Sequence, residues 1–531
     1  MLMYEPIKPP WVHQQRALEL LEGRKWFALQ MAMRTGKTKV VLDDFGRLEL
    51  DKDVDDLLVI APAGVYKTWV KAVSDHVSRD LQKRMTIYVW QSGKSTTHRD
   101  RLAANLFMKS TRPRLLLINI EALSTVDKAN KMAKKFLSQR RVYLVVDEST
   151  TIKNDSIRTR RVLLLAPLAR YRRILTGLIS PRSPLDVYYQ FEFLWPGCLG
   201  HRSFTTFKMR YAIEKKICTL PTGILQSKLL KVTGPAGRVN VDGHMLSVAN
   251  MSRQELMDEL DRRKIWYDRF PKIIGYKNEE ELRDKIAPHS YRVRLEDCYD
   301  LPPKMYSSRE VELTTQQKRI YKELKERSTA ELVVMEQTVG HVTALSVVSR
   351  MIRLHQVLCG HTKDEEENKL HSIPENRTKV LIDLLEEEEG KAIIWCSYDY
   401  NVRQVSDALE KEFGAGSVAR FWGGNANTRE AEEELFQTDP ACRFMVGTPS
   451  AGGRGRLWVM ADLVVYYSNT NNLEHRSQSE ERAQGIDKIN SVAYVDLIAP
   501  GTVDERIIQA LREKIDMATT ISGDSWREWL V

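Results

Sequence analysis

At 531 residues, with 29% charged and 42% hydrophobic side chains, the chain is too long for one hydrophobic core and reads as a soluble globular protein of roughly two to four domains. A net charge of +10 and a pI of about 9.1 favour a polyanionic partner. No apolar run nears the about 18 residues of a membrane span, and six cysteines without a C-x-x-C pair suit neither a zinc site nor a disulfide framework, which leaves a reducing cytoplasm as the expected setting.

In chain order, two prolines in IKPPWVHQQRALEL (7–20) stop an extended segment, and a helix is predicted from near Trp11. Gln14 or Gln15 on that helix offers an amide that matches the donor and acceptor of an adenine edge. Trp26, Phe27, Ala28 and Leu29, then MRTGKT (33–38), then KVVLDDFGRLEL read as strand, tight loop and helix. A phosphate-binding loop needs this context. Backbone N–H groups around Thr35 and Gly36 face a polyphosphate, Lys37 places a charge on its β- and γ-phosphates, and Thr38 ligates Mg²⁺ through its hydroxyl. The first glycine of the usual G-x-x-x-x-G-K-[ST] pattern is missing, with Gln30, Met31 and Ala32 in its region.

LLVIAPA (57–63), LLLINI (115–120) and VYLVVD (142–147) look like buried parallel strands, and they alternate with helical stretches such as GVYKTWVKAV. The pattern predicts an open α/β sheet with ligands at the carboxyl ends of its strands. Asp147 and Glu148 stand at such an end, Asp147 to hold Mg²⁺ through water and Glu148 to orient or deprotonate an attacking water. RRILTG (172–177) is a fourth strand, with Thr176 and Gly177 placed to sense a γ-phosphate or to couple two lobes. Tyr188–Tyr189, Tyr466–Tyr467, Cys396 and His355 read as packed groups, while Arg170, Arg172 and Arg173 either flank a strand or touch phosphates.

Residues 213–290 change character, with turn signals in GPAGRVNVDGH and two predicted helices, SRQELMDELDRR and NEEELRDKI; this is an inserted module that follows a first lobe over 1–212. LPPK (301–304) is rigid and extended, and long amphipathic helices over 314–332 and 347–358 make 291–376 a brace and linker. A second α/β lobe spans 377–516, with strands AIIWCSY, FMVGTPS, LVVYYSN and YVDLIAP and a helix SQSEERAQGI carrying Arg482; 517–531 is a tail. This half has no phosphate loop, so the nucleotide is expected between the lobes, with an arginine of the second lobe on its phosphates.

Together these motifs resemble the Swi/Snf-type branch of superfamily-two helicases and translocases, over about 1–212 and 287–516. DESTTIKNDSIRTRR…RYRRILTG is similar to that branch's D-E-A-H-x-x-K-N…R-R-x-L-L-T-G, with Lys153 and Asn154 at the K-N and Thr150 in place of the histidine. Gln14 fits the adenine-reading H-Q-x-x-A-L form. APAGVYKTW, with Pro62 and Lys67, resembles the first nucleic-acid-contacting motif. GTPSAGGRG, with Thr448 and Gly455, resembles the fifth motif, and QSEERAQ, with Gln478 and Arg482, the sixth. GTVDERIIQALREKI is similar to the helix that ends this branch.

The resemblance implies two tandem RecA-like lobes, parallel sheets flanked by helices, with an inserted α+β or helical module. It implies ATP with Mg²⁺, and a motor that grips mainly duplex DNA through its phosphates, independent of sequence and without a membrane role. A protein partner would meet the 213–290 module or the tail. The compact length resembles phage or prokaryotic members, and so a bacterial or phage-infected cytoplasm. Three positions depart from the family pattern: Leu178 replaces a threonine, Leu457 an asparagine, and Gly485 stands where the second arginine of the sixth motif belongs. Those departures keep open an ATP-gated DNA clamp with weak hydrolysis, and Arg454 or Arg456 is a candidate substitute for the missing arginine; a strand-separating DNA or RNA helicase is a further alternative, its RNA form opposed by the K-N and the terminal GTVDERI helix.

Overall fold

The computed structural model describes residues 4–62, 65–90, 96–108, 110–181, 183–215, 238–241, 244–247, 272–298, 302–338, 344–363, 370–425, 427–452, 457–470, 472–485, 488, 490–509 and 511–512. In its first half the chain runs through β1 (Trp26–Met31), β2 (Asp56–Ala61), β3 (Thr86–Val89), β4 (Arg114–Asn119), β5 (Val142–Asp147) and β6 (Tyr171–Thr176). It continues through β7 (Ala212–Lys215), β8 (Arg238–Val241), β9 (His244–Ser247), β10 (Lys272–Tyr276) and β11 (Ser290–Val293). Among the described residues, seven of these strands make one sheet in the order β11-β1-β6-β5-β2-β4-β3, parallel at every pairing.

β2, β4 and β5 are buried at every position, which is why they read as unbroken apolar runs: helices cover both faces. The two-residue period divides their side chains between two cores. Leu58, Ile60, Leu116, Ile118, Leu144 and Val146 face one side, with Phe136 and Phe191. Leu57, Val59, Leu115, Leu117, Tyr143 and Val145 face the other, with Val40, Phe45 and Trp69. Each such side chain contributes roughly 1.5–3 kcal/mol.

The second half holds β12 (Lys304–Glu310), β13 (His361–Lys363), β14 (Leu370–Ser372), β15 (Lys391–Trp395), β16 (Val418–Phe421), β17 (Phe444–Gly447), β18 (Ala461–Tyr466) and β19 (Val492–Ile498). Six of them form a second parallel sheet, β12-β19-β18-β15-β17-β16. It too separates two cores, Ile394, Val446 and Val465 against Ile393, Met445 and Val464. The protein is therefore two parallel α/β lobes. Among the described residues no helix is long and apolar enough to cross a membrane.

The sheets reach past the expected lobe limits. β11 falls at the boundary expected between module and brace, yet it is an edge strand of the first sheet beside β1. β12 falls in the expected brace, yet it edges the second sheet beside β19. Both are edge strands, mostly half-buried or exposed, so they lack the apolar run that marks an interior strand. The inserted segment leaves and returns through one neck, where β7 pairs antiparallel with β10. Inside it, β8 and β9 pair antiparallel across 242–243, the position of the Asp-Gly turn signal, and NEEELRDKI contains the helix Glu279–Ile286. SRQELMDELDRR, Cys218, Arg454, Arg456, and Trp526 and Trp529 of the tail lie outside the described residues.

Candidate nucleotide site between the two lobes

β1, β6 and β5 are neighbours in the first sheet, with Gln30 beside Thr176 and Leu175 beside Asp147. Parallel strands end on the same edge, so the loop after β1, the Asp147–Glu148 pair and Thr176–Gly177 share one rim. The helix α1 (Val12–Leu21) closes the loop from outside. His13 Nε2 lies 2.7 Å from the Thr35 carbonyl, and Gln14 Nε2 donates to the same oxygen at 3.1 Å. Gln14 Oε1 accepts the Trp11 backbone N–H. Both ends of the Gln14 amide are thus engaged with α1 and the loop, and the side chain is buried, in contrast to the open adenine-facing group expected.

The loop turns through two left-handed residues, Arg34 (φ +69°) and Gly36 (φ +86°), into α2 (Lys37–Leu50). A Cβ on Gly36 would collide with Gln14 Nε2, so glycine is required by both dihedral and space. Thr35 is buried, its hydroxyl donating to Ala32 O at 2.8 Å. Lys37 Nζ donates to Met31 O at 2.7 Å and Ala32 O at 3.1 Å. The first turn of α2, opened by Lys37 and Thr38, leaves backbone N–H groups without intrahelical acceptors. Cradle, ammonium and helix terminus fit a polyphosphate.

Asp147 Oδ2 accepts the Trp69 Nε1–H at 2.8 Å, and its Oδ1 accepts the Glu148 N–H at 3.0 Å. Burial pushes the Asp147 carboxyl up, while Trp69, Lys37 and the Glu148 amide hold it down. A carboxylate so desolvated, in the field of Lys37, fits a divalent cation. Glu148 is itself left-handed (φ +51°), a strain on the order of 1–3 kcal/mol that turns its side chain into the cleft between the lobes.

The second lobe faces this rim with the helix Leu473–Glu480. Arg482 was expected on a helix running through Gly485, but the helix stops at its cap, Glu481, and Arg482 sits in the following turn. The Arg482 carbonyl accepts the Trp458 N–H at 2.8 Å, which draws the chain off the helix axis. Arg476 anchors the helix through Glu480 (2.6 Å) and Asn469 (2.7 Å) and through an ion pair to Asp496; Tyr494 donates to the Glu480 carbonyl at 2.8 Å. Arg482 is fully buried, with Nη2 3.6 Å from Met33 Sδ of the phosphate loop. Arg34 Nη2 donates back to the Glu481 carbonyl. Thr176, Gly177, Glu148, Gln478 and Gln484 line the intervening cleft, and the Thr176 hydroxyl is held by Leu178.

The nucleic-acid candidates divide. Lys67 is exposed and paired across the lobes with Glu430, and Asn154 is exposed. Pro62 and Thr448 are buried, the Thr448 N–H bonded to Phe421 O at 3.1 Å. Lys153 is only 7% exposed and donates to Glu474 Oε2 at 3.0 Å, while Thr150 donates to Glu474 Oε1 at 2.9 Å. Gly455 lies outside the described residues. Arg173 is buried against Asp44 and Arg170 pairs with Asp53, so both serve the first lobe. Reasoning on the sequence missed three residues. Trp69 orients Asp147, Glu474 holds Lys153, and Arg34 bridges the lobes; only Trp69 carried a signal, as a polar-tipped aromatic on an apolar helix face.

The SNF2-related domain family matches residues 26–363. Protein CHROMATIN REMODELING 4 of Arabidopsis thaliana is 24% identical over 60% of this chain and 14% of its own length. The DNA excision repair protein ERCC-6-like of Danio rerio is 23% identical over 96% of this chain and 36% of its own. Among solved structures, the Sulfolobus solfataricus SWI2/SNF2 ATPase core in complex with dsDNA is similar along 100% of this chain and 97% of its own, at 19% identity and a TM-score of 0.38. The chain spans from 14% to 46% of the length of the curated relatives it matches. The chain belongs to the SNF2-related domain family.

Proposed function

We propose that the chain is a nucleic-acid-dependent ATPase whose two RecA-like lobes close on ATP and Mg²⁺ and open after hydrolysis, stepping along duplex DNA. The observation that carries this reading is a cleft between the two parallel sheets lined by Ala32 and Met33 of the phosphate loop, by Glu148 and by Gln478, with Arg482 of the second lobe 3.6 Å from Met33. Lys37 and the start of α2 would hold the β- and γ-phosphates, with Thr38 and Asp147 on the metal side. Mg²⁺, when bound, neutralises charge on the phosphate oxygens. Glu148 would orient the attacking water and accept its proton, and Arg482 would meet the charge that develops on the transferred phosphoryl group. Thr176 and Gly177, on the rim between the lobes, would couple hydrolysis to closure.

DNA as the polymer is supported by the +10 charge, by exposed Lys67 and Asn154, and by the similarity to the DNA excision repair protein ERCC-6-like. Contacts to phosphates make binding independent of sequence and sensitive to salt. The module beyond the β7–β10 neck is the proposed docking element for a protein partner. Free cysteines in both lobes fit a reducing cytoplasm.

The test is steady-state ATP hydrolysis without polymer and with single-stranded DNA, duplex DNA or RNA, for the wild-type chain and Lys37→Ala. The expected result is strong stimulation by duplex DNA, lost about 10²-fold or more in the variant. A preference for single strands would replace translocation with strand separation. ATP binding without stimulation by any polymer would leave a gated clamp.

A further inference from the structure

The space next to Gly485, where the sixth-motif pattern calls for an arginine, is shared by Val459 of the same lobe and by a side chain from the other lobe. A Cβ on Gly485 would lie 3.3 Å from Arg34 Nη1 and 2.6 Å from Val459 Cγ1. Gly485 is not among the glycines at positive φ, so its backbone suits any residue. The crowding is by side chains, Val459 Cγ1 first and the Arg34 guanidinium second, and not by main chain.

Arg34 is unusual in the reciprocal way. It occupies a left-handed turn of the phosphate loop that favours glycine, yet keeps a long charged side chain there. Its Nη2 bonds the Glu481 carbonyl, while Nη1 is buried and has no hydrogen-bond partner among the described residues. Burial pulls Arg34 down to about 10; the Glu481 carboxylate opposes the fall and Arg482 adds to it. The Arg482 guanidinium thus lies close enough to act on Arg34, with the Glu481 carboxylate also beside it. The buried Arg34 N–H left to spare is a seat for an anion.

We propose that Arg34 and Gly485 have exchanged roles, so that Arg34 supplies from the phosphate loop the second guanidinium that position 485 would supply from the opposite lobe. This rests on the ATP-hydrolysing reading above. As the water oxygen bonds the γ-phosphorus, the bond to the β–γ bridging oxygen breaks, the electron pair leaves with ADP, and the water proton passes to Glu148. Arg34 and Arg482 stay protonated and donate to the γ-phosphate oxygens throughout.

The experiment is kcat and KM for ATP at saturating duplex DNA, in the wild-type chain, Arg34→Gly, Gly485→Arg and the Arg34→Gly/Gly485→Arg double variant. Arg34→Gly is expected to lose about 10²-fold or more in kcat. Gly485→Arg alone is expected to be defective, because its side chain meets both Val459 and Arg34; Val459→Ala is therefore carried in every Gly485→Arg variant and in its own control. The double variant is expected to recover at least about 10-fold over Arg34→Gly, since the guanidinium returns from the other side. A loss confined to KM would make Arg34 a latch between lobes and overturn the assignment; so would a folded double variant no faster than Arg34→Gly. If the double variant does not fold, binding of ADP with aluminium fluoride decides. Loss of that affinity in Arg34→Gly with ADP binding kept supports the assignment, and retention of both overturns it. A wild-type chain that never hydrolyses ATP removes the motor reading and this assignment together, whereas hydrolysis that survives Arg34→Gly removes the assignment alone.

Discussion

The candidate nucleotide rim is set by a few short-range constraints. Gly36 has both a left-handed φ and no room for a Cβ, so Gly36→Ala must either displace Gln14 or reshape the loop. The expected outcome is a loss of nucleotide affinity of about 10-fold or more, read by titration with a fluorescent ATP analogue, while the sheets stay folded. Trp69 acts on Asp147 through one N–H. That bond favours the charged carboxylate. Trp69→Phe is expected to raise several-fold the Mg²⁺ concentration that gives half-maximal kcat, read by a Mg²⁺ titration at saturating ATP and DNA. An unchanged requirement, with kcat lowered uniformly, would show that Trp69 only packs.

At the scale of elements, a buried cluster ties the second lobe together. Asp504, at the start of the helix after β19, pairs with Arg377 and lies 3.3 Å from His355 on the helix Ala344–Leu358. His355 also meets Tyr398 at 2.8 Å and Cys359. Burial raises the Asp504 carboxyl, but Arg377 and His355 outweigh it and hold the group far below the carboxylate range. Burial opposes the His355 charge, yet Cys359, Tyr398 and Asp504 carry it well above its usual value. Asp504→Asn leaves the Arg377 cation uncompensated and is expected to cost about 3–5 kcal/mol, read as a drop in the melting transition of this lobe.

The two signs differ with pH. The depressed Asp504 contributes stability that is present above its unfolded value, about 3.8, and is lost only as pH falls through its lower folded value. The raised His355 contributes stability that is complete below its unfolded value, about 6.5, and is lost as pH rises through its folded value. The stability gap between wild type and His355→Gln should therefore be widest near pH 6 and narrow toward alkaline pH. A gap that widens instead would reverse the assigned protonation.

At the scale of the whole molecule, the lobes touch through groups expected to meet DNA. Lys153 lies under Glu474, and Lys67 pairs with Glu430. The first pair is largely buried and the second is exposed, so they differ in weight: exposed pairs are worth about 0–1 kcal/mol and are screened by salt. Glu474→Gln is expected to raise duplex affinity several-fold, because Lys153 no longer has to leave a carboxylate. Glu430→Gln is expected to change it about twofold or less. Fluorescence anisotropy with labelled duplex over a salt series separates the two, and equal effects would dismiss the buried latch.

How much was legible follows from what each feature depends on. Interior strands, the GKT loop and the Asp147–Glu148 end could be read directly, because a strand covered on both faces must be continuously apolar and a phosphate loop must lie between strand and helix. The edge strands β11 and β12 could not, since one open side permits polar residues. Nor could the place of Arg482 beyond its helix, the burial of Lys153 under Glu474, or the Arg34 side chain beside Gly485. The first depends on a bond to Trp458 from outside the helix and the other two join residues hundreds of positions apart, where periodicity carries no information. The sequence by itself determined two parallel lobes and the chemistry carried on the first. The closing of one lobe on the other decided which arginines, and which lysines, face the cleft.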